Sequence, residues 1–208
     1  MRARTEAHLP GRCSRCWVKQ EFCICPDVKV QKVATKVVLV RHEREAQKST
    51  GTARIAALAL PSMVVLPFGD SNEGLDDTLR ALTGAWLLFP SDGHLRDAGP
   101  SVPAGTPSAL IVLDGTWRQT RKMLKKLPSL KGLPRLALPA KVGSNLRLRE
   151  GPADSGCSTL EALAAALGLL EGQAVGAALD ALHALYVERV FRARGVWGLK
   201  SSGLTAQC

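Results

Sequence analysis

No stretch of this sequence stays apolar for anything near the ~20 residues that span a bilayer. The opening "MRARTEAHLPGRCSRC" lacks the apolar centre of a secretory signal. Together these absences predict a soluble, cytoplasmic protein with no membrane partner. No internal repeat is present. No G-x-G-x-x-G follows a predicted strand, so the dinucleotide fingerprint is missing. Residues 1–30 are short of aliphatic side chains, yet they hold four of the six cysteines. Negative charge is scarce where positive charge is dense: from Arg118 to Glu150 there are ten Lys/Arg and one acid.

What is there suits one ordinary globular domain with a small appendage: 208 residues, 46% hydrophobic. The expected division is a cysteine module over residues 1–30 and an α/β domain over 31–208. The formal net charge of +10 is uneven, since Gly51 to Pro100 carries three Arg and six acids. A basic surface beside a neutral core suits a polyanion, most simply a nucleic acid, and equally suits plain solubilising charge.

Short β-branched or aliphatic runs alternate with helical patterns. "VATKVVLV" (Val33–Val40), "MVVLPF", "AWLLFP", "ALIVL" and "PRLALP" read as five strands. "RHEREAQKSTGTA" reads as a polar loop leading into a helical "ARIAALAL", which Pro61 stops. "LDDTLRAL" suits a short helix, and "SDGHLRDAGPSVPAGTPS" is a loop rich in Gly, Pro, Ser and Asp. Two helices close the chain. One starts at "STLEALAAALGLL", where Ser158 and Glu161 form an S-x-x-E capping box; the other covers about Ala177 to Arg194. This alternation predicts an α/β fold with a mostly parallel sheet.

Cys13, Cys16, Cys23 and Cys25 form C-x2-C-x6-C-x-C. Four thiolates that close together suit a tetrahedral structural zinc ion. Disulfides and an iron–sulfur cluster are the alternatives, and a reducing compartment disfavours the disulfides. A zinc ion would fold a segment that has little core of its own. Arg2, Arg4, Arg12, Arg15 and Lys19 surround it, so the module also suits contact with RNA or DNA. Cys157 reads as a small buried side chain rather than a nucleophile.

The most informative stretch is "LIVLDGTWRQTRKMLKKL". Asp114 ends a strand, where parallel α/β sheets collect ligands. Gly115 permits a sharp exit, and Asp114 or Thr116 can cap the helix that follows. Capping does not account for Trp117. On that helix Arg118, Arg121, Lys122 and Lys125 fall at i, i+3, i+4 and i+7 and share a face. Trp117, Thr120, Leu124 and Leu127 share another, mostly apolar one. Four like charges on one face repel unless an anion relieves them; a phosphate backbone would, and a solvated helix surface is the plain alternative.

These residues carry a resemblance. "LDGTWRQTRKML" is similar to the signature of the DTW-domain proteins, whose D-x-T-W is here Asp114, Thr116 and Trp117. Other pieces stand in the order that family shows: the cysteine motif, "RHEREAQKSTGTARI" with His42, Glu45 and Thr52, "LLFP" with Ser91, then "LRLREGP" and "STLEA". The resemblance covers nearly the whole chain. It implies a tRNA-uridine aminocarboxypropyltransferase, with S-adenosylmethionine as donor and tRNA as partner. The products would be 3-(3-amino-3-carboxypropyl)uridine and 5′-methylthioadenosine. It further implies a fold related to the knotted SPOUT-type methyltransferases.

On that reading Asp114 accepts the uridine N3 proton or orients the uracil. A free Asp, with pKa ~3.9, is a weak base that partial burial would strengthen. His42, near another strand end, is the second catalytic candidate. The donor is expected against the strand-end loops, at Leu66 and Pro67, at Phe89, Pro90 and Ser91, and at Leu113, Thr116 and Trp117. Trp117 walls the donor pocket, stacks on a base, or simply packs helix on sheet. Arg147 and Arg149 suit a phosphate or the donor carboxylate, or are surface charge. Ser158 and Glu161 are explained by helix capping. Two rivals remain: a SPOUT-like RNA methyltransferase using the same donor, and a non-enzymatic zinc-ribbon RNA-binding protein.

Overall fold

The computed structural model describes residues 10–90, 100–139, 148 and 157–196. Five strands form one sheet, β1 (Lys36–His42), β2 (Val64–Phe68), β3 (Ala85–Leu88), β4 (Ala109–Asp114) and β5 (Arg135–Leu136), in the order β2-β1-β4-β3-β5. Every pairing is parallel. All the carboxyl ends therefore lie along one edge.

Side-chain alternation divides the sheet between two cores. Val37, Leu39, Trp86, Leu88, Leu110 and Val112 face the helices α2 (Thr52–Ala59), α5 (Thr159–Leu170) and α6 (Gln173–Ala193). Val38, Val40, Leu87 and Ile111 face α3 (Leu75–Arg80) and α4 (Trp117–Lys126). Both faces are covered, so the central strands are apolar throughout rather than alternating. β2 is an edge strand and carries Pro67, which has no N–H to give a further neighbour.

Strand positions follow the sequence reading, and the departures have local causes. β1 begins at Lys36 rather than Val33 because Glu171 takes the N–H groups of Ala34 and Thr35 at 2.9 and 2.7 Å, before the ladder starts. The expected fifth strand shrinks to two residues, after which Ala137 exchanges hydrogen bonds with Ser101. The expected polar loop after β1 contains one helical turn, α1 (Glu43–Ala46), capped by His42. α6 starts at Gln173, ahead of the expected Ala177. Gly176 lies inside it because it meets Gly168 of α5; a Cβ there would stand 2.9 Å from both the Gly168 Cα and the Ala164 carbonyl oxygen.

The cysteine segment docks on the α2/α5/α6 side. Cys16, Val18 and Ile24 are fully or almost fully buried in the same cluster as Val37 and Leu39. Arg54 of α2 lies over the Trp17 ring, 3.1 Å from its centroid, and also bonds the Ala46 carbonyl at 3.1 Å. That one side chain ties the segment to the loop after β1. Among the described residues, no helix is long and apolar enough to cross a membrane.

Candidate functional site

β1 and β4 are neighbours, but the chain leaves them in opposite directions, toward β2 from one and toward β5 from the other. Such a divergence opens a crevice at the carboxyl edge, where ligands of open α/β sheets bind. Arg41 and Asp114 are register partners at that point.

Asp114 follows the parity of Leu110 and Val112, so its side chain turns toward α5. There its Oδ1 accepts a hydrogen bond from the Thr159 hydroxyl at 2.7 Å. Its Oδ2 lies 3.3 Å from Arg41 Nε. Asp114 thus accepts one hydrogen bond and pairs with one cation. Asp114 is not a helix cap. Thr116 caps α4, with its hydroxyl accepting from Gln119 N at 3.4 Å and its own N–H donating to Gln119 Oε1 at 2.6 Å. Capping explains Thr116 and leaves Asp114 to other work.

Thr159 is the first residue of α5, and Ser158 and Glu161 close the expected capping box, at 2.8 Å for Ser158 N–H to Glu161 and 3.3 Å for the return bond. Thr52, at the start of α2, accepts from Leu160 N at 3.4 Å. The D-x-T-W, the Thr52 stretch and "STLEA" are thus drawn together by direct contacts, although they are far apart in sequence.

His42 takes the other face. It shares parity with Val38 and Val40, and its ring lies 5.8 Å from that of Phe68. Its Nδ1 accepts from Arg44 N at 3.2 Å, which leaves the proton on Nε2. Burial, aided by Lys122 and Arg44, holds the imidazole below its usual pKa. Asp114 and His42 therefore leave the sheet on opposite sides and are not brought together.

Phe89 and Trp117 meet edge to face with centroids 5.7 Å apart, and Leu113 packs in the same cluster. Trp117 thus has a packing partner, while remaining half-buried. Pro90 accepts from Arg135 at 3.1 Å. Leu66 and Pro67 lie on β2, beyond β1 and β4 from these residues. At the usual strand spacing that separates β2 from β3 by about 14 Å. Ser91, Arg147 and Arg149 lie outside the described residues. Arg118, Arg121, Lys122 and Lys125 are all exposed on α4, whose opposite side buries Thr120, Met123 and Leu127.

The residue that sequence reading missed is Arg41. The available signal was parity: it follows Val37 and Leu39 on the buried face of a strand, where a charged side chain needs a reason.

The four N-terminal thiols gather at one point. All their Sγ atoms lie within 4.8 Å of one another, with Cys13–Cys25 at 3.7 Å and Cys16–Cys23 at 3.8 Å. The edge of a tetrahedron with metal–sulfur bonds of ~2.3 Å is about 3.8 Å. None of the four is in a disulfide. Burial opposes ionisation of Cys13, but the backbone N–H groups of Cys16 and Arg15 and the neighbouring thiols bring it down to about 6. Burial raises Cys23 and Cys25. The donor set fits a thiophilic metal, and the tight turn that presents it places Trp17 at φ 62°.

Comparison with known proteins places the chain among relatives of one name. The chain is 30% identical over 171 residues to tRNA-uridine aminocarboxypropyltransferase 2 of Mus musculus, covering 77% of this chain and 56% of that one. It is 27% identical over 168 residues to the Macaca fascicularis protein of the same name, covering 76% and 56%. It is 29% identical over 171 residues to the Drosophila melanogaster one, covering 78% and 68%. The chain thus spans little more than half the length of the first two. No solved structure matches it. The DTW domain model matches residues 11–191, from the cysteine segment into the last helix, and the chain belongs to the DTW-domain family.

Proposed function

We propose that the chain transfers the 3-amino-3-carboxypropyl group of S-adenosylmethionine to N3 of a tRNA uridine. The observation that carries this is Asp114. The D-x-T-W aspartate is not used as a helix cap; it is held by Arg41 and Thr159 at the point where β1 and β4 diverge. The relatives' shared name supports the same reaction.

In that reaction the bond from sulfur to the aminocarboxypropyl carbon breaks as the bond from that carbon to N3 forms. The electron pair stays on sulfur and converts the sulfonium into the neutral thioether of 5′-methylthioadenosine. The N3 proton passes to water, with the Asp114 carboxylate as its hydrogen-bond acceptor on the way. Three carbons on the sulfonium are open to attack, so the site must select by alignment. Asp114 orients the uracil from the α5 side by accepting from N3–H as the proton departs, and the donor lies across the strand ends, bordered from the α4 side by Phe89, Leu113, Thr116 and Trp117. His42 serves as the α1 cap.

The α4 cations Arg118, Arg121, Lys122 and Lys125 track the tRNA backbone, with Arg147 and Arg149 as further phosphate contacts. The four cysteines hold a structural zinc ion, which would brace the segment that Arg54 docks. The all-parallel sheet supports a SPOUT-like fold, and the tRNA substrate a cytoplasmic site of action.

The test is the identity of the released thioether when protein, donor and unmodified tRNA are combined. Release of 5′-methylthioadenosine supports the proposal. S-adenosylhomocysteine would assign the same site to methyl transfer. Neither compound, with tRNA still bound, would leave an RNA-binding protein.

A further inference from the structure

We infer that Arg41 is the residue that recognises the α-carboxylate of the donor, and so separates S-adenosylmethionine from its own by-product. This rests on the donor proposed above.

Arg41 lies beside Asp114 at the carboxyl ends of β1 and β4, with its side chain only 14% exposed. An arginine offers five N–H donors in a rigid fork. Its Nε is buried and 3.3 Å from Asp114 Oδ2, without the alignment of a hydrogen bond. Among the described residues Asp114 is its one charged partner. A guanidinium set back from solvent is costly unless its donors are used. Neutralising Asp114 would not require a fork, whereas planar two-point binding of a carboxylate does.

The nature of the anion follows from Asp114. A phosphodiester brings negative charge alone and would meet the Asp114 carboxylate a few ångströms from Arg41. The amino-acid end of the donor is a zwitterion, with an ammonium beside its carboxylate, so it brings no net charge beside Asp114, whose own role stays with uridine N3. Phosphates have the exposed face of α4 instead. The carboxylate is also the one negative group of the donor, and 5′-methylthioadenosine lacks it. Holding that end would fix which sulfonium carbon faces the uridine, and its departure with the product would release the by-product.

The experiment is a binding cycle by calorimetry. Wild type and Arg41→Gln are each titrated with S-adenosylmethionine and with decarboxylated S-adenosylmethionine. Wild type should prefer the carboxylated ligand by about ten- to a hundredfold, the range for a hydrogen bond to a charged group. Arg41→Gln should bind the two within about threefold of each other, because the preference tracks that one contact. A structural role for Arg41 would weaken both ligands alike and keep the ratio, and that result overturns the inference. Equal binding by wild type also overturns it, as does a loss confined to tRNA, which would make Arg41 a phosphate contact. Should Arg41→Gln fail to fold, Arg41→Lys keeps the charge without the fork and should still narrow the ratio. Wild type that binds neither ligand would instead remove the proposed donor itself, so the two failures are distinct.

Discussion

Thr159, the first residue of α5, donates its hydroxyl to Asp114, the last residue of β4, across 2.7 Å. One bond thus joins the D-x-T-W and "STLEA" motifs, 45 residues apart in sequence. Asp114→Asn keeps the shape and removes the charge. It should lower the transfer rate by about 10²–10⁴-fold, the range for a group acting directly on the reacting proton. Thr159→Val removes only the orienting hydroxyl and should cost about tenfold, roughly the worth of one hydrogen bond. Initial rates at saturating donor check both, and equal, small losses would make Asp114 structural.

The exposed side of α4 should be an electrostatic contact. Arg121→Ala with Lys122→Ala removes two cations and should weaken tRNA binding while reducing the slope of log K against log salt by about 1.4–1.8. Filter binding across a salt series reads both quantities. Unchanged affinity at every salt concentration would take α4 out of the interface.

The cysteine cluster should bring about one zinc ion per chain through purification, the stoichiometry of a closed four-sulfur site. Cys13→Ser with Cys16→Ser should abolish it. Because Cys16, Val18 and Ile24 are part of the main core, metal loss should lower the melting temperature of the whole protein rather than loosen one end. Metal analysis and thermal melts test this together.

His183 on α6 is buried, and burial lowers its pKa below the usual 6.5, against the opposing pull of Glu161 and Asp180. Its Nδ1 lies 3.7 Å from Glu161, the capping residue of α5. The unfolded chain takes up this proton more readily than the folded one. The contribution of His183 is therefore present above pH 6.5 and lost progressively as the pH falls from there through its lower folded-state pKa. Urea midpoints should drop as the pH falls below about 6.5, and His183→Asn should reduce that drop, leaving the part due to His42. A midpoint insensitive to pH in that window would contradict it.

How much of this was legible in the sequence depended on range. β4 was readable because an apolar run is a local signal, whereas the α4 cap was narrowed only to Asp114 or Thr116, and the bond from Gln119 N settles it on Thr116. The gathering of the four cysteines was readable from spacing. α6 began earlier than expected because the role of Gly176 is set by Gly168 on another helix. Parity already placed Asp114 with Val112 and His42 with Val40. Only the register between β1 and β4 shows that these are opposite faces, and only the register pairs Asp114 with Arg41. Strand order is a property of long-range pairing, and no local pattern states it.

The central claim is most directly tested by mass spectrometry of nucleosides from unmodified tRNA incubated with the purified protein and S-adenosylmethionine. The account predicts a uridine heavier by one 3-amino-3-carboxypropyl group, formed by wild type and lost in Asp114→Asn. A methylated nucleoside in its place, or tRNA that is bound but unchanged, would contradict it.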